Sequence, residues 1–302
     1  MSVTAPITNI ARGSLHDGPG SRTVVYFKGC GLNCLWCHNP ETRQVKKQIL
    51  YIPNKCIHCG SCIEICPEHH IVVGNQMEFL REGCSACGRC AEECPSMALT
   101  LCGEDKTVDE VFAEIQKDLH YYQASGGGVT FSGGECLLYP EFVAKLAKKC
   151  REAGIHTAVE SAMFVPWANV EQVLPYIDLF FNDLKIPDSE KHRQYTGQTN
   201  HRIIENIRKL SETEKRIILR IPVIPGINDS EADLTGFGKI IQRFGPGVQE
   251  VELLKYNHLA ESKFRFVGED YHAFAAESQK DDEMQKLCGR LSELCGRTCY
   301  HS

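Results

Sequence analysis

The hydrophobic positions of this chain change period along its length. Thr23 to Phe27 is an unbroken β-branched and aromatic run ended by Gly29, which predicts a strand. From Thr107 to Tyr122 the apolar residues Val108, Val111, Phe112, Ile115, Leu119 and Tyr122 fall at helical spacing behind a Thr107/Glu110 capping box, which predicts one amphipathic helix. Strands and helices then alternate. Val129–Phe131, Thr157–Val159, Ile177–Phe181, Ile217–Ile221 and Val248–Leu254 read as strands. Pro140 to about Ala153, Trp167–Leu174, His201–Leu210, Leu234–Phe244 and Glu283–Leu294 read as the helices between and after them. The result is six βα units, the pattern of parallel strands joined by right-handed crossovers.

Residues 50–101 break this rhythm, dividing the chain into a frame of residues 1–49 and 102–302 and an insert of residues 50–101. Within the frame, the residues able to do chemistry gather at carboxyl ends of strands. Cys30 follows the first strand, Gly133, Gly134 and Glu135 the second, Glu160 and Ser161 end the third, and Asp183 and Lys185 follow the fourth. Arg220 lies in the fifth, and Tyr256, Asn257 and His258 follow the sixth. Barrel enzymes build their sites on that face, and six units are fewer than the eight of a closed barrel. The expected fold is therefore α/β, a partial, open (β/α)6 barrel, whose open side admits something larger than a metabolite.

Composition narrows the class. At 42% hydrophobic and 24% charged residues the chain is neither disordered, collagenous nor a coiled coil. A net charge of −6 offers no basic footprint for nucleic acid or anionic lipid. The longest apolar runs are too short to span a membrane, and Met1 to Gly13 lacks the apolar core of a secretory signal, so a cytoplasmic location is expected. Seventeen cysteines do not suit disulfides in a reducing compartment; they point to metal.

Eleven of them fall into three groups. Cys56, Cys59, Cys62 and Cys66, then Cys84, Cys87, Cys90 and Cys94, each spell CxxCxxCxxxCP. That is the spacing of a bacterial two-cluster ferredoxin, in which the last Cys of each run serves the other cluster. One cluster would take Cys56, Cys59, Cys62 and Cys94, and the other Cys84, Cys87, Cys90 and Cys66. A pair of all-cysteine zinc sites is the alternative, though zinc ribbons hold two CxxC pairs well apart. The insert carries three basic and six acidic residues and is too small to fold on apolar burial alone, so its fold should depend on its metals. Cys30, Cys34 and Cys37 form CxxxCxxC with no fourth thiol, which leaves one iron of a 4Fe-4S cluster open to a substrate or cofactor. A zinc site of the three cysteines and His38 is the alternative.

The segment Gly29-Cys30-Gly31-Leu32-Asn33-Cys34-Leu35-Trp36-Cys37-His38-Asn39-Pro40-Glu41 resembles the cluster loop of radical S-adenosylmethionine enzymes. Further stretches narrow the resemblance to the activating enzymes of glycyl radical enzymes, of the pyruvate formate-lyase activating type with a ferredoxin insert. They are His16-Asp17-Gly18-Pro19-Gly20, Ser125 to Thr130, Ser132-Gly133-Gly134-Glu135 and Asp183-Leu184-Lys185. The resemblance implies three 4Fe-4S clusters, S-adenosylmethionine on the open iron, and hydrogen abstraction from a backbone glycine of a partner glycyl radical enzyme. It also implies a low-potential electron donor such as flavodoxin or ferredoxin, with no nucleic acid or membrane partner.

The resemblance also implies site roles. Gly133 and Gly134 let backbone approach the methionine moiety, Glu135 receives its ammonium, and Asp183, Leu184 and Lys185 serve the ribose and carboxylate. Trp36 and His38 line the adenine or pack the loop. Asp17 contacts the partner's glycine segment or simply starts a turn. Glu160-Ser161 stands where the family commonly has Asp-Thr, leaving a monovalent-cation role open, and Asn257 or His258 stands where the family often has His. Arg220 completes the expected contacts. A radical enzyme acting on a small molecule or another peptide is the rival reading, and an iron–sulfur electron carrier a third, although a carrier has no need of an open iron. Of the remaining cysteines, Cys150 falls on the apolar face of its helix, while Cys102, Cys136, Cys288, Cys295 and Cys299 follow no metal spacing.

Overall fold

The computed structural model describes residues 3–73, 76–271 and 277–302. Its frame is one nine-stranded sheet: β1 (Thr4–Ser14), β2 (Arg22–Phe27), β3 (Glu104–Thr107), β4 (Gly128–Gly133), β5 (His156–Ser161), β6 (Leu179–Asp183), β7 (Arg216–Val223), β8 (Val248–Lys255) and β9 (Thr298–His301). From β2 through β4 to β9 neighbouring strands pair parallel in chain order, with no reversal. A doubly wound sheet would reverse at a switch point, so this is the order of a barrel arc. β1 and β3 add an antiparallel edge beyond β2. The arc is open, because β9 and β3 end the sheet and do not meet.

Strands β2 and β4 to β8 are the six that the hydrophobic runs predict. The structure adds three: β1, β3 and β9, all polar or irregular in sequence. The helix expected from Thr107 to Tyr122 is two, Val108–Gln116 and Leu119–Ser125. The capping box forms as predicted. The break falls at Asp118, whose carboxylate is drawn to the sheet by Arg12 Nε at 2.8 Å and Thr23 Oγ1 at 2.8 Å.

The helices cover the outer face of the arc. Pro140–Glu152 begins with proline in its first turn and buries Phe142, Val143, Leu146, Ala147 and Cys150, so Cys150 is a core residue. No helix among the described residues is long and apolar enough to cross a membrane.

Within the insert, Gln48–Tyr51 pairs antiparallel with Leu99–Cys102, and His70–Val73 forms a hairpin with Gln76–Phe79. Its small core holds Ile49, Met77, Ala86, Cys90 and Leu99. Arg81 ties it to the frame, donating to Ile49 O and to Phe266 O, each at 2.6 Å.

Candidate functional site

The loop after β2 turns back at Gly29, whose φ of +105° suits only glycine. Backbone hydrogen bonds then fix it: Gly29 N to Thr42 O at 2.6 Å, Cys30 N to Arg43 O at 2.9 Å, Asn33 N to Thr196 O at 2.8 Å and Leu35 N to Tyr195 O at 3.1 Å. This places Cys30, Cys34 and Cys37 on one wall of a cavity of about 200 Å³ at the carboxyl ends of the strands. Burial raises all three thiols, Cys37 up to about 12.

The facing walls come from the strand ends. Gly133 and Gly134 line the cavity where backbones cross closely: a Cβ on Gly133 would stand 2.3 Å from Phe27 N and O, and one on Gly134 2.2 Å from Gly29 O. Gly134 N donates to Phe27 O and Glu135 N to Gly29 O, at 2.9 and 2.7 Å. The glycine pair is thus the joint between β4 and the cysteine loop. Asp183 and Lys185 line the next wall, paired at 2.8 Å. Burial works against the Lys185 ammonium, yet Asp183 and then Cys34 raise it above its ordinary value. Trp36 is buried beside Tyr195 and lines the cavity with the exposed His38, whose carbonyl accepts from Lys263 Nζ at 3.0 Å.

Glu160 lines the cavity with both carboxylate oxygens engaged. Arg220 Nη1 donates to Oε1 at 2.7 Å and Ser132 Oγ to Oε2 at 2.6 Å. Burial raises this carboxyl, but Arg220 outweighs that and holds it below its usual range. Arg220 itself lies outside the cavity. It also donates to Glu252 at 2.7 Å and His16 O at 3.0 Å, and stacks 3.9 Å over Phe181. It thereby clamps the His16–Gly20 loop to the inside of the arc, where Asp17 accepts from Ser14 and is raised first by burial and then by Glu160.

Besides Arg220, four residues expected to touch a cofactor are placed elsewhere. Glu135 is turned away from the cavity: its buried carboxylate accepts from Leu137 N at 3.1 Å, Ser161 Oγ at 2.9 Å and Ala162 N at 3.1 Å, and burial pushes it up to about 7. Leu184 points into the core. Asn257 accepts from Leu259 N at 3.2 Å, and the exposed His258 pairs with Glu261 at 2.6 Å, because the chain turns outward after β8. In their stead Lys255 and Tyr256 line the cavity, together with Arg43 and Ser132. Tyr256 stands at a strand end and Ser132 in a motif that the sequence already marks, though neither is assigned a contact from sequence; Arg43 carried no signal.

In the insert the two cysteine runs share two cavities. One, of about 380 Å³, is lined by Cys56, Cys59, Cys62 and Cys94, and another, of about 200 Å³, by Cys66, Cys84, Cys87 and Cys90. Four thiols around one cavity form the donor set of a 4Fe-4S cluster.

Comparison with known proteins agrees. The model of the Radical SAM superfamily matches residues 81–237, a 4Fe-4S dicluster domain residues 48–95 and a 4Fe-4S single cluster domain residues 16–64. The chain is 43% identical to the (2S)-3-sulfopropanediol dehydratase activating enzyme of Klebsiella oxytoca over 272 residues, 88% of this chain and 86% of that one. It is 37% identical to the choline trimethylamine-lyase activating enzyme of Oleidesulfovibrio alaskensis over 289 residues, 94% of this chain and 93% of that one. A radical SAM methyltransferase from Sphaerobacter thermophilus shares the fold at a TM-score of 0.52 and 13% identity, covering 99% of this chain and 77% of that one.

Proposed function

For a chain that belongs to the radical SAM superfamily, among the activating enzymes of glycyl radical enzymes, we propose the following assignment of its site. Cys30, Cys34 and Cys37 hold a 4Fe-4S cluster with one open iron, and the cavity they share with Gly133, Gly134, Asp183 and Lys185 takes S-adenosylmethionine. The observation that carries the reading is this juxtaposition of three thiols with an ammonium–carboxylate pair at strand ends. A cluster held there would supply the single electron for reductive cleavage of S-adenosylmethionine, the chemistry that hydrogen abstraction from a backbone glycine of the partner requires.

The chain's own residues bind and exclude. Lys185 offers its ammonium to the methionine carboxylate, and Asp183 orients that ammonium while accepting from the ribose. Gly133 and Gly134 present backbone without a side chain between it and the ligand. Trp36 and Tyr256 close the cavity against water, which protects a reactive intermediate. Glu135 acts at one remove: with three donors on its carboxylate it fixes the turn from Gly133 to Leu137. Glu160 is held by Arg220 and Ser132 at the cavity wall.

The remaining eight grouped cysteines hold two further clusters in the insert, residues 50–101, giving three in all. Clusters held there would serve to carry electrons from a low-potential donor such as flavodoxin or ferredoxin. A reducing cytoplasm suits so many free thiols. The partner's glycine segment enters through the open side of the arc, past the loop that Arg220 clamps, which favours a protein substrate over a small molecule.

The test is anaerobic cleavage of S-adenosylmethionine by dithionite-reduced protein. Wild type should release 5′-deoxyadenosine and methionine, and the Cys30, Cys34 and Cys37 triple alanine variant none. Cleavage by that variant would place the cofactor elsewhere.

A further inference from the structure

The two cysteine runs of the insert are close structural copies. Two residues after the first cysteine of each, His58 and Ala86 take positive φ of 58° and 52°; Gly60 and Gly88 then cap short helices at 83° and 90°. The copies part after the last cysteine: three residues on, Met97 takes a positive φ of 54° and its counterpart His69 does not, and the next position differs in side chain. There the first run has His70 and the second Ala98, each 1% exposed. Ala98 lines the cavity of Cys56, Cys59, Cys62 and Cys94, whereas His70 lines that of Cys66, Cys84, Cys87 and Cys90.

His70 is anomalous for a buried side chain, since neither ring nitrogen has a hydrogen-bond partner. The ring is held by stacking on Phe79, centroids 5.0 Å apart and planes at 18°, and its backbone N donates to Cys66 O at 3.2 Å. Burial disfavours its cationic form, and in either form the imidazole has an N–H to donate. A donor buried without an acceptor is costly, so such groups are rare unless a bound group completes them. The cavity beside it is walled by four thiols, and the group that fits them brings sulfide acceptors.

We propose that His70 donates a hydrogen bond to a sulfur of the cluster held by Cys66, Cys84, Cys87 and Cys90, and so sets its reduction potential above that of the cluster beside Ala98. Hydrogen bonds to cluster sulfur stabilise the reduced, more negative state. The two insert clusters are then unequal, and an electron entering the insert settles at the His70 side. This inference rests on the reading that the insert cysteines hold clusters. His70 is a positioning and tuning residue and takes no part in the chemical step.

The experiment is a redox titration, followed by electron paramagnetic resonance, of anaerobically reconstituted full-length protein and its His70→Phe and His70→Asn variants. Iron content is measured on every sample. His70→Phe keeps a flat ring and removes the donor. One insert-cluster midpoint should move to more negative potential, with the reduced-to-oxidised ratio at fixed solution potential falling about tenfold, which is about 59 mV for one electron. The other midpoints should stay, and His70→Asn should restore part of the shift. Unchanged midpoints at full iron content, or equal shifts of both insert clusters, would overturn the proposal. If wild type itself lacks the insert iron, the cluster reading fails instead. If His70→Phe does not assemble, wild type labelled with 15N-histidine decides: the reduced cluster should show a weak 15N coupling, and its absence would refute the hydrogen bond.

Discussion

Cys66 and Cys94 have exchanged places: each closes the thiol set of the other's run, Cys94 with Cys56, Cys59 and Cys62, and Cys66 with Cys84, Cys87 and Cys90. The exchange interlocks the halves of a module whose own core contains only a few buried side chains. A module with so small a core should depend on its metals for stability.

Paired substitutions test the exchange. Cys66→Ala with Cys84→Ala should lose about four irons, the content of one 4Fe-4S cluster, and no more than either change alone. Cys66→Ala with Cys56→Ala should lose about eight. Iron analysis reads the difference; an unexchanged arrangement gives the reverse result.

The glycine pair should tolerate no side chain. Alanine at Gly133 or Gly134 meets backbone atoms at 2.3 or 2.2 Å, and Gly133 holds a φ of +115°. Overpacking and strain of this kind cost about 1–3 kcal/mol each. Thermal unfolding should show the loss in either variant, and S-adenosylmethionine binding should weaken with it. Unaltered stability in both would mean that the joint between β4 and the cysteine loop is softer than the packing implies.

Arg220 stands between the buried Glu252 and the half-buried Glu160. Removing it as Arg220→Ala leaves the buried Glu252 without its ion-pair partner, at a cost of about 3–5 kcal/mol, while Glu160 keeps Ser132 and the nearby Lys185. Lysine at 220 keeps the charge but not the fork that reaches Glu160, Glu252 and His16 O together, so its stability should fall between the two. Denaturant unfolding orders the three proteins. Adding Glu252→Gln to Arg220→Ala should recover part of the loss, and no recovery would separate Glu252 from the network.

Lys185→Met should leave the cluster in place and weaken S-adenosylmethionine about 10–100-fold, the worth of one hydrogen bond to a charged group. Equilibrium binding to the reconstituted protein measures it. Equal affinity in wild type and variant would restrict Lys185 to its pair with Asp183.

The sequence made the barrel strands legible because each is a buried run bounded by turns, and most of the cavity because cysteines, glycines and the Asp183–Lys185 pair sit at strand ends. It concealed β9, whose four residues Thr298–His301 include one aliphatic or aromatic side chain, Tyr300, and owe their pairing to β8. The break at Asp118 was hidden for a similar reason: Arg12 and Thr23 lie 106 and 95 residues away and override a good helical period. Glu135, Asn257 and His258 show the limit of motif reading. A motif fixes which residue stands at a strand end, whereas local donors decide where its side chain turns. Ser161 and Ala162 capture the first, and the outward turn after β8 carries away the other two.

The most direct test of the account follows the hydrogen itself. Reduced protein, S-adenosylmethionine and a glycyl radical enzyme from the same cell, its glycines deuterated at Cα, are combined without oxygen. Deuterium should appear in the released 5′-deoxyadenosine, with a glycine-centred signal on the partner, a doublet in unlabelled protein that collapses on deuteration. Deuterium-free 5′-deoxyadenosine with no radical on the partner would contradict hydrogen abstraction from the partner.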